Sequence, residues 1–423
     1  MTVETRAATA ADEDPGVPSK RFDALQGVTV LDMSKVLAGP VCAQYLGDLG
    51  AEVIKVEPVG VGDDTRTWPP FVAGEGAVFL SANKNKRSIA LDLKRPEGQA
   101  VLRRMVAQSD VVVESYRTGV AARLGIDYET LRELRPDLIH ASISGFGRSG
   151  PLADRPGYDM MVQAFSGIMS ITGEKGGSPV RIPISPLDQT TGIHTALGIV
   201  AALRRRDLTG EGAALETSLY ETALGFMGYI AQTYWATGEE PQPAGSGHGS
   251  LCPYQAFAAA DGHIMIAVGS DKVWQVFAPA VGLEAVRDDP RFATNQARVA
   301  HFGETVDMVA EVIAQHGVAE WCDILLAAGV PHSPINTVGA SLDQPQARER
   351  GMVTHLPHST AGEIPSIAIP IQFAGFDRSP RSAAPTLGEH GAEILRRFQL
   401  EDDEVSALVA AGIVGVGRAE AED

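Results

Sequence analysis

From Gly27 onward the chain alternates short apolar runs with amphipathic stretches. Residues 28–31 and 53–56 read as buried strands, Pro40 is placed for the first turn of a helix between them, and the second strand ends on Glu57. The alternation continues with a strand at 88–93, a helix at 97–108, a strand at 111–113, a helix at 128–134 and a strand at 138–143. Strands separated by helices of this length predict a mostly parallel α/β sheet covered on both faces. Ligands of such sheets bind at the carboxyl ends of the strands, and the glycine-rich stretches 60–62, Gly119 and 145–147 follow those ends. Helical periodicity returns at 189–203, with Asp188 as a candidate cap and Arg204, Arg205 and Arg206 as a cationic last turn. A second apolar helix is predicted at 219–234.

Residues 238–249 are rich in Gly, Pro and Ser and read as a linker. Beyond it the pattern predicts a strand at 264–268, helices at 274–281, 306–315 and 321–328, and a return linker after Gly339. The expected organisation is therefore a tail at 1–21, the first part of a large α/β domain at 22–225, a linker and small domain at 226–344, and a return to the large domain at 345–423. The acidic end, 420–423, is expected to fray.

At 423 residues the chain exceeds what one simple core accommodates. A hydrophobic fraction of 44% and a charged fraction of 21% are those of a soluble globular protein, and no apolar run approaches the roughly 18 residues of a membrane span. The formal net charge of -18 argues against nucleic acid or an anionic membrane as partner, so any bound phosphate must be met by local cations. Cys42, Cys252 and Cys322 are far apart and form no Cys-x-x-Cys pair, which indicates neither a disulfide framework nor a thiolate zinc site and fits a reduced cytoplasm. Residues 1–20 carry no apolar segment of a secretory leader. The histidines form no His-x-x-x-His pair and no metal is assigned; His140 reads as a core residue and His390 as the start of a helix. A nicotinamide or flavin site is also disfavoured, because the turn at 32–39 lacks the Gly-x-Gly-x-x-Gly that lets a pyrophosphate approach.

The candidate chemistry centres on Asp159, which follows Gly157 and Tyr158 and precedes an apolar run ending near Gly167. Local physics allows two roles: an N-cap of the helix, or a fixed, ionised oxygen nucleophile.

Five blocks bear on that choice: Val-Leu-Ala-Gly-Pro at 36–40; Leu-Gly-Ala-Glu-Val-Ile-Lys-Val-Glu at 49–57 leading into Gly-Asp-Asp-Thr-Arg at 62–66; Asn-Lys-Arg-Ser-Ile-Ala-Leu-Asp-Leu-Lys at 85–94; Gly-Tyr-Asp at 157–159; and Gly-His-Gly-Ser at 247–250 before Pro253 and Tyr254. In this order they resemble the family III CoA-transferases across most of the chain. The resemblance implies a large Rossmann-like domain with a smaller inserted α+β domain, two chains interlocked as a homodimer, and Asp159 as catalytic nucleophile. It implies no tightly bound cofactor, with a coenzyme A thioester as substrate and a carboxylic acid as acceptor. The family's CoA contacts fall by motif on Val36, Leu37, Ala38, Leu91, Lys94, Ser115, Tyr116, Arg117 and Arg123, and its glycine-rich substrate loop on Gly247, His248 and Gly249. The stretch 62–71 and the loop are most similar to the members that use succinyl-CoA and glutarate, which implies succinyl-CoA as donor and a small dicarboxylate as acceptor. Arg66 and Arg181 flank the matching blocks and are candidates for the distal carboxylate; each also has an ion-pair reading. Two alternatives remain: an α-methylacyl-CoA racemase-like enzyme, disfavoured because 128–136 holds no His and Tyr158 stands where racemases carry one, and a non-catalytic acyl-CoA-binding protein.

Overall fold

The apolar runs become neighbouring strands of one sheet. Among the described residues, which are 20–72, 74–415 and 417 of a computed structural model, seven strands lie in the order Val414–Gly415, Lys86–Leu91, Glu52–Glu57, Thr29–Met33, Val111–Glu114, Ile139–Ser144 and Ala213–Ser218. Every neighbouring pair is parallel except the first, where Val414 lies antiparallel to Leu91. A parallel strand is buried on both faces, which is why these segments read as continuous apolar runs rather than alternations. Leu31, Ile54, Ile89 and Val112 pack with Leu102 and Met105 of the helix Pro96–Val106, and with Leu395 and Phe398 of Gly391–Arg397. The expected tail at 1–19 and the acidic end at 420–423 lie outside the described residues. Arg21 is held, with its guanidinium donating to Ser379 O at 2.8 Å.

Three expected boundaries are corrected. The strand expected at 88–93 begins at Lys86, whose side chain is fully buried and donates to Asp32 Oδ2 at 2.8 Å; a lysine inside a strand is compatible with burial because an acid waits beneath it. The helix expected from Gln189 spans Pro186–Thr209, so Asp188 lies in its first turn instead of capping it. The helix expected at 219–234 runs over Leu219–Thr237 and kinks at Gly228, whose φ is 34°. His140 is buried and its Nε2 lies 3.1 Å from Ile126 O, while His390 precedes the helix Gly391–Arg397.

The chain divides into two compact units. One comprises the described parts of Met1–Pro156, Asp188–Ser218 and Glu349–Asp423 and holds the seven-stranded sheet; the other comprises Gly157–Leu187 and Leu219–Arg348. The stretch Gly157–Leu187, which the sequence pattern assigns to the large domain, groups with the second unit because the helix Asp159–Ser166 packs on Leu219–Thr237, with Phe165 edge-on to Tyr220 at 5.4 Å. The core of the second unit joins Ile264, Ile266 and Val268 to Trp274, Phe277, Ile313 and Trp321. Its antiparallel sheet has the order His332–Pro334, Gly262–Ala267, Tyr254–Ala259. No described helix is long and apolar enough to cross a membrane.

Candidate active site

Asp159 is the first residue of the helix Asp159–Ser166, one position beyond an N-cap. Tyr158 takes the N-cap position with extended backbone and no side-chain cap, and its carbonyl accepts from Val162 N at 3.0 Å to close the first turn. The Asp159 carboxylate is instead turned to other partners: Oδ2 accepts from Leu187 N at 2.8 Å, and Oδ1 accepts from the side-chain amide of Gln163. Gln163 stands one helical turn on, at the i+4 spacing that brings two side chains together. It is fully buried and Asp159 is 5% exposed. The Gln163 amide is fixed in turn, its Oε1 accepting from Ile182 N at 2.9 Å and its Nε2 donating to Ile182 O at 3.1 Å. Only the amide oxygen can accept from that N–H, so the NH₂ is obliged to face Asp159. A carboxylate with a donor on each oxygen has its polar atoms met in a buried setting and presents a defined plane.

The glycine-rich loop belongs to the same unit. Gly245 N donates to Gly173 O at 2.9 Å, which ties the loop to the chain that follows the Asp159 helix. Gly245 has φ +59°, a left-handed conformation that favours glycine at the tether. Gly247 N bonds Ala244 O at 2.9 Å and His248 N bonds Tyr254 O at 3.1 Å. Ser246 Oγ accepts from Ala256 N at 3.0 Å, and His248 Nδ1 accepts from Ser250 N at 3.1 Å. Of the five amides from Gly245 to Gly249, those of Ser246 and Gly249 are left open to a ligand among the described residues.

The residues expected to meet CoA lie in the first unit, at or after the carboxyl ends of its strands. Val36, Leu37 and Ala38 form the turn between the strand Thr29–Met33 and the helix Ala38–Asp48. Val36 has φ 70°, a costly conformation for a β-branched residue. The turn is held there from beneath: Val36 N donates to Asp63 at 3.2 Å, and Lys55 Nζ donates to Ser34 O at 3.1 Å while pairing with Asp63 Oδ2 at 3.0 Å. Lys86 completes the cluster on Asp32, whose Oδ1 accepts from Ser34 N at 3.0 Å. The four charged side chains Asp32, Lys55, Asp63 and Lys86 are all wholly buried. Burial alone would raise the Asp32 carboxyl, but the ammonium groups of Lys55 and Lys86 outweigh it and hold it down at about 2. Gly39 lies so close to Ser34 that a Cβ would sit 2.1 Å from that side chain.

Ser115, Tyr116 and Arg117 follow the neighbouring strand, with Lys35 N donating to Ser115 Oγ at 2.9 Å. Their backbone is fixed by Glu114, which accepts from Tyr116 N at 2.7 Å and pairs with Arg148 at 2.8 Å. Burial, reinforced by Glu114, pushes the Tyr116 hydroxyl up to about 12. Lys94, Arg117 and Arg123 are exposed and open to an anion, whereas Leu91 is a core side chain in a strand paired with Val414. Of the two roles open to Arg66, the structure shows the ion pair. Its guanidinium is buried, forks onto Glu57 with both contacts at 2.7 Å, reaches Glu75 at 2.8 Å and Pro385 O at 3.2 Å, and stacks on Phe79. Glu57 is thereby committed as well, and is not free for a ribose. Arg181 is exposed, directly before the Ile182 that anchors Gln163. The sequence reading did not single out Gln163 or the Asp32–Lys86 cluster. The signals were a lone Gln in an apolar helix four residues after Asp159, and charged residues inside buried strands.

A family model described as CoA-transferase family III matches residues 25–391. The succinyl-CoA:glutarate CoA-transferase of Homo sapiens is 37% identical over 392 residues, covering 92% of this chain and 90% of that one. The succinate–glutarate CoA-transferase of Agrobacterium fabrum is 38% identical over 382 residues, covering 89% and 96%. The crystal structure of a CAIB/BAIF family protein from Brucella suis superposes with a TM-score of 0.81 at 38% identity, over 90% of this chain and 100% of that chain.

Proposed function

This chain belongs to CoA-transferase family III, and we propose that it moves CoA from succinyl-CoA to a small dicarboxylic acid, with Asp159 as the acyl carrier. The observation that carries the reading is the buried Asp159 carboxylate with a donor on each oxygen, an arrangement that an N-cap does not need and a nucleophile does. The relatives named for succinyl-CoA and glutarate support the substrate class.

In the first step an Asp159 oxygen attacks the thioester carbonyl. A C–O bond forms, the C–S bond breaks, and its electron pair leaves on sulfur as CoA thiolate. The thiolate then attacks Cγ of the resulting mixed anhydride, forming aspartyl-CoA and releasing the donor as a carboxylate. The acceptor carboxylate attacks aspartyl-CoA, expelling thiolate and forming a second anhydride. Thiolate attack on the acceptor's carbonyl yields the new thioester and restores Asp159. Each attack on this route passes through a tetrahedral intermediate that carries an oxyanion, and the open amides of Ser246 and Gly249 are suitable donors.

CoA is bound as a substrate, with no tightly held cofactor, by the turn at Val36, Leu37 and Ala38, by Leu91 through its backbone, by Ser115 and Tyr116, and by Lys94, Arg117 and Arg123 for its phosphates. Gly247, His248 and Gly249 shape the acyl end. Arg181 takes the distal carboxylate, since a buried unpaired charge there would cost several kcal/mol and Arg66 is already engaged. Large apolar side chains on the second unit, among them Met161, Phe165, Phe226, Tyr229 and Trp235, are exposed in the single chain. They support an interlocked homodimer in which a Rossmann-like large domain carries the small domain as an insertion. The three cysteines are free, in keeping with a cytoplasmic location.

The test is to mix the protein with succinyl-CoA and a panel of mono- and dicarboxylic acids, following CoA exchange and, by intact mass, a CoA-sized adduct. Exchange with an adduct that Asp159→Ala abolishes is the expected result. Comparable exchange by Asp159→Ala would refute the mechanism, and racemisation without exchange would refute the reaction class.

A further inference from the structure

We propose that Gln163 is the positioning residue of the acyl-transfer centre: its side-chain NH₂ fixes the plane of the Asp159 carboxylate and remains on that oxygen while Asp159 is acylated. The inference rests on the acyl-carrier reading of Asp159 and goes beyond it, because neither helix capping nor packing calls for this arrangement. A fully buried glutamine in an otherwise apolar helix carries one acceptor and two donor positions that must all be met. Here the acceptor is used by Ile182 N at 2.9 Å and one donor by Ile182 O at 3.1 Å, which sets the amide like a rung against the backbone of Ile182. The remaining N–H is left with a single target, Asp159 Oδ1.

The chemistry gives that contact a task. One oxygen of Asp159 leaves with the donor acid in each cycle and is replaced by an oxygen of the acceptor, while the other stays on Cγ as the carbonyl of both anhydrides and of aspartyl-CoA. Thiolate and acceptor both attack Cγ, so negative charge collects on the retained oxygen at each attack. Leu187 N, at 2.8 Å from Oδ2, and Gln163, on Oδ1, hold one oxygen each. Rotation of the carboxylate about Cβ–Cγ would break both bonds together, so the pair locks the nucleophile in one plane before substrate arrives, where misorientation is expensive.

The experiment compares wild type with Gln163→Met and Gln163→Glu, each measured for kcat, for KM towards succinyl-CoA, for adduct formation by rapid-quench mass spectrometry, and for pH dependence from 4.5 to 9. Gln163→Met keeps the volume and removes the donor. It is expected to lower kcat by about 10²-fold, the loss typical of one oxyanion-type donor, with KM for succinyl-CoA changed less than threefold and slower appearance of the adduct. Gln163→Glu is nearly isosteric and keeps the fold testable if the Met variant fails to fold. It places a second carboxylate on Asp159, so the two share a proton, and the acid limb of the rate profile should move up by at least one pH unit, with activity recovering at high pH below the wild-type plateau. A Gln163→Glu acid limb that coincides with wild type, or a Gln163→Met enzyme within threefold of the wild-type kcat, overturns the role of Gln163. Should wild type itself show neither exchange nor adduct, it is the acyl-carrier reading that fails, and the two failures are separated by the wild-type arm alone.

Discussion

Replacing Asp32 by Asn tests how the CoA turn is held. Asp32, Lys55, Asp63 and Lys86 form a neutral set with no side-chain exposure, and Asn leaves one positive charge buried without a partner. Removing one member of a buried ion pair costs about 3–5 kcal/mol, a large share of the roughly 5–15 kcal/mol that holds a domain together. The pH dependence gives an independent figure. A carboxyl held at about 2 rather than at its ordinary 3.8 contributes about 2.5 kcal/mol at neutral pH. Because the folded value is depressed, that contribution is present in full above about pH 4 and is lost as pH falls towards 2. Urea midpoints from circular dichroism, at one fixed protein concentration, should therefore show a gap between wild type and Asp32→Asn at pH 7 that narrows by about 1.6 kcal/mol by pH 2.5, the rest being lost only below the folded value. Adding Lys86→Met should recover part of the loss by removing the stranded charge. A gap below about 1 kcal/mol at pH 7, or one that stays constant from pH 5 to pH 2.5, would refute the reasoning.

Two further outcomes follow from the site. Arg181→Met should raise KM for a dicarboxylate acceptor about 10- to 100-fold, the worth of one charged hydrogen bond, and should weaken succinyl-CoA, whose succinyl group carries the same distal carboxylate, in the same direction; an unchanged preference for di- over monocarboxylates would remove Arg181 from the site. Light scattering at micromolar concentration should give twice the chain mass, and a stable monomer there would count against the interlocked dimer.

Much of the fold was legible because parallel strands buried on both faces must be apolar throughout. The runs at 28–31, 53–56, 111–113 and 138–143 could hardly lie elsewhere than in the strands beginning at Thr29, Glu52, Val111 and Ile139. Strands with mixed or short patterns escaped: Ala213–Ser218 lies at a sheet edge, Tyr254–Ala259 and the hairpin of Val353–His358 with Gly362–Ile367 carry no continuous run, and His332–Pro334 is only three residues long. The ordered motifs, through the resemblance they carry, pointed to Asp159 and to the turn at Val36. Neither local pattern nor motif could say what holds them, because hydrogen bonds and ion pairs between distant residues leave no periodic trace. Lys55 and Lys86 look like surface charges until the chain brings them under Asp32 and Asp63. Arg66 looked equally fit for a substrate carboxylate or an ion pair, and the burial of Glu57 beside it decided for the pair. Asp159 could have capped its helix. Its actual partners, Gln163 one turn along and Leu187 twenty-eight positions on, were fixed only when the chain folded back to bring Ile182 against Gln163, because a buried amide and a buried carboxylate must each find their donors and acceptors wherever the tertiary structure supplies them.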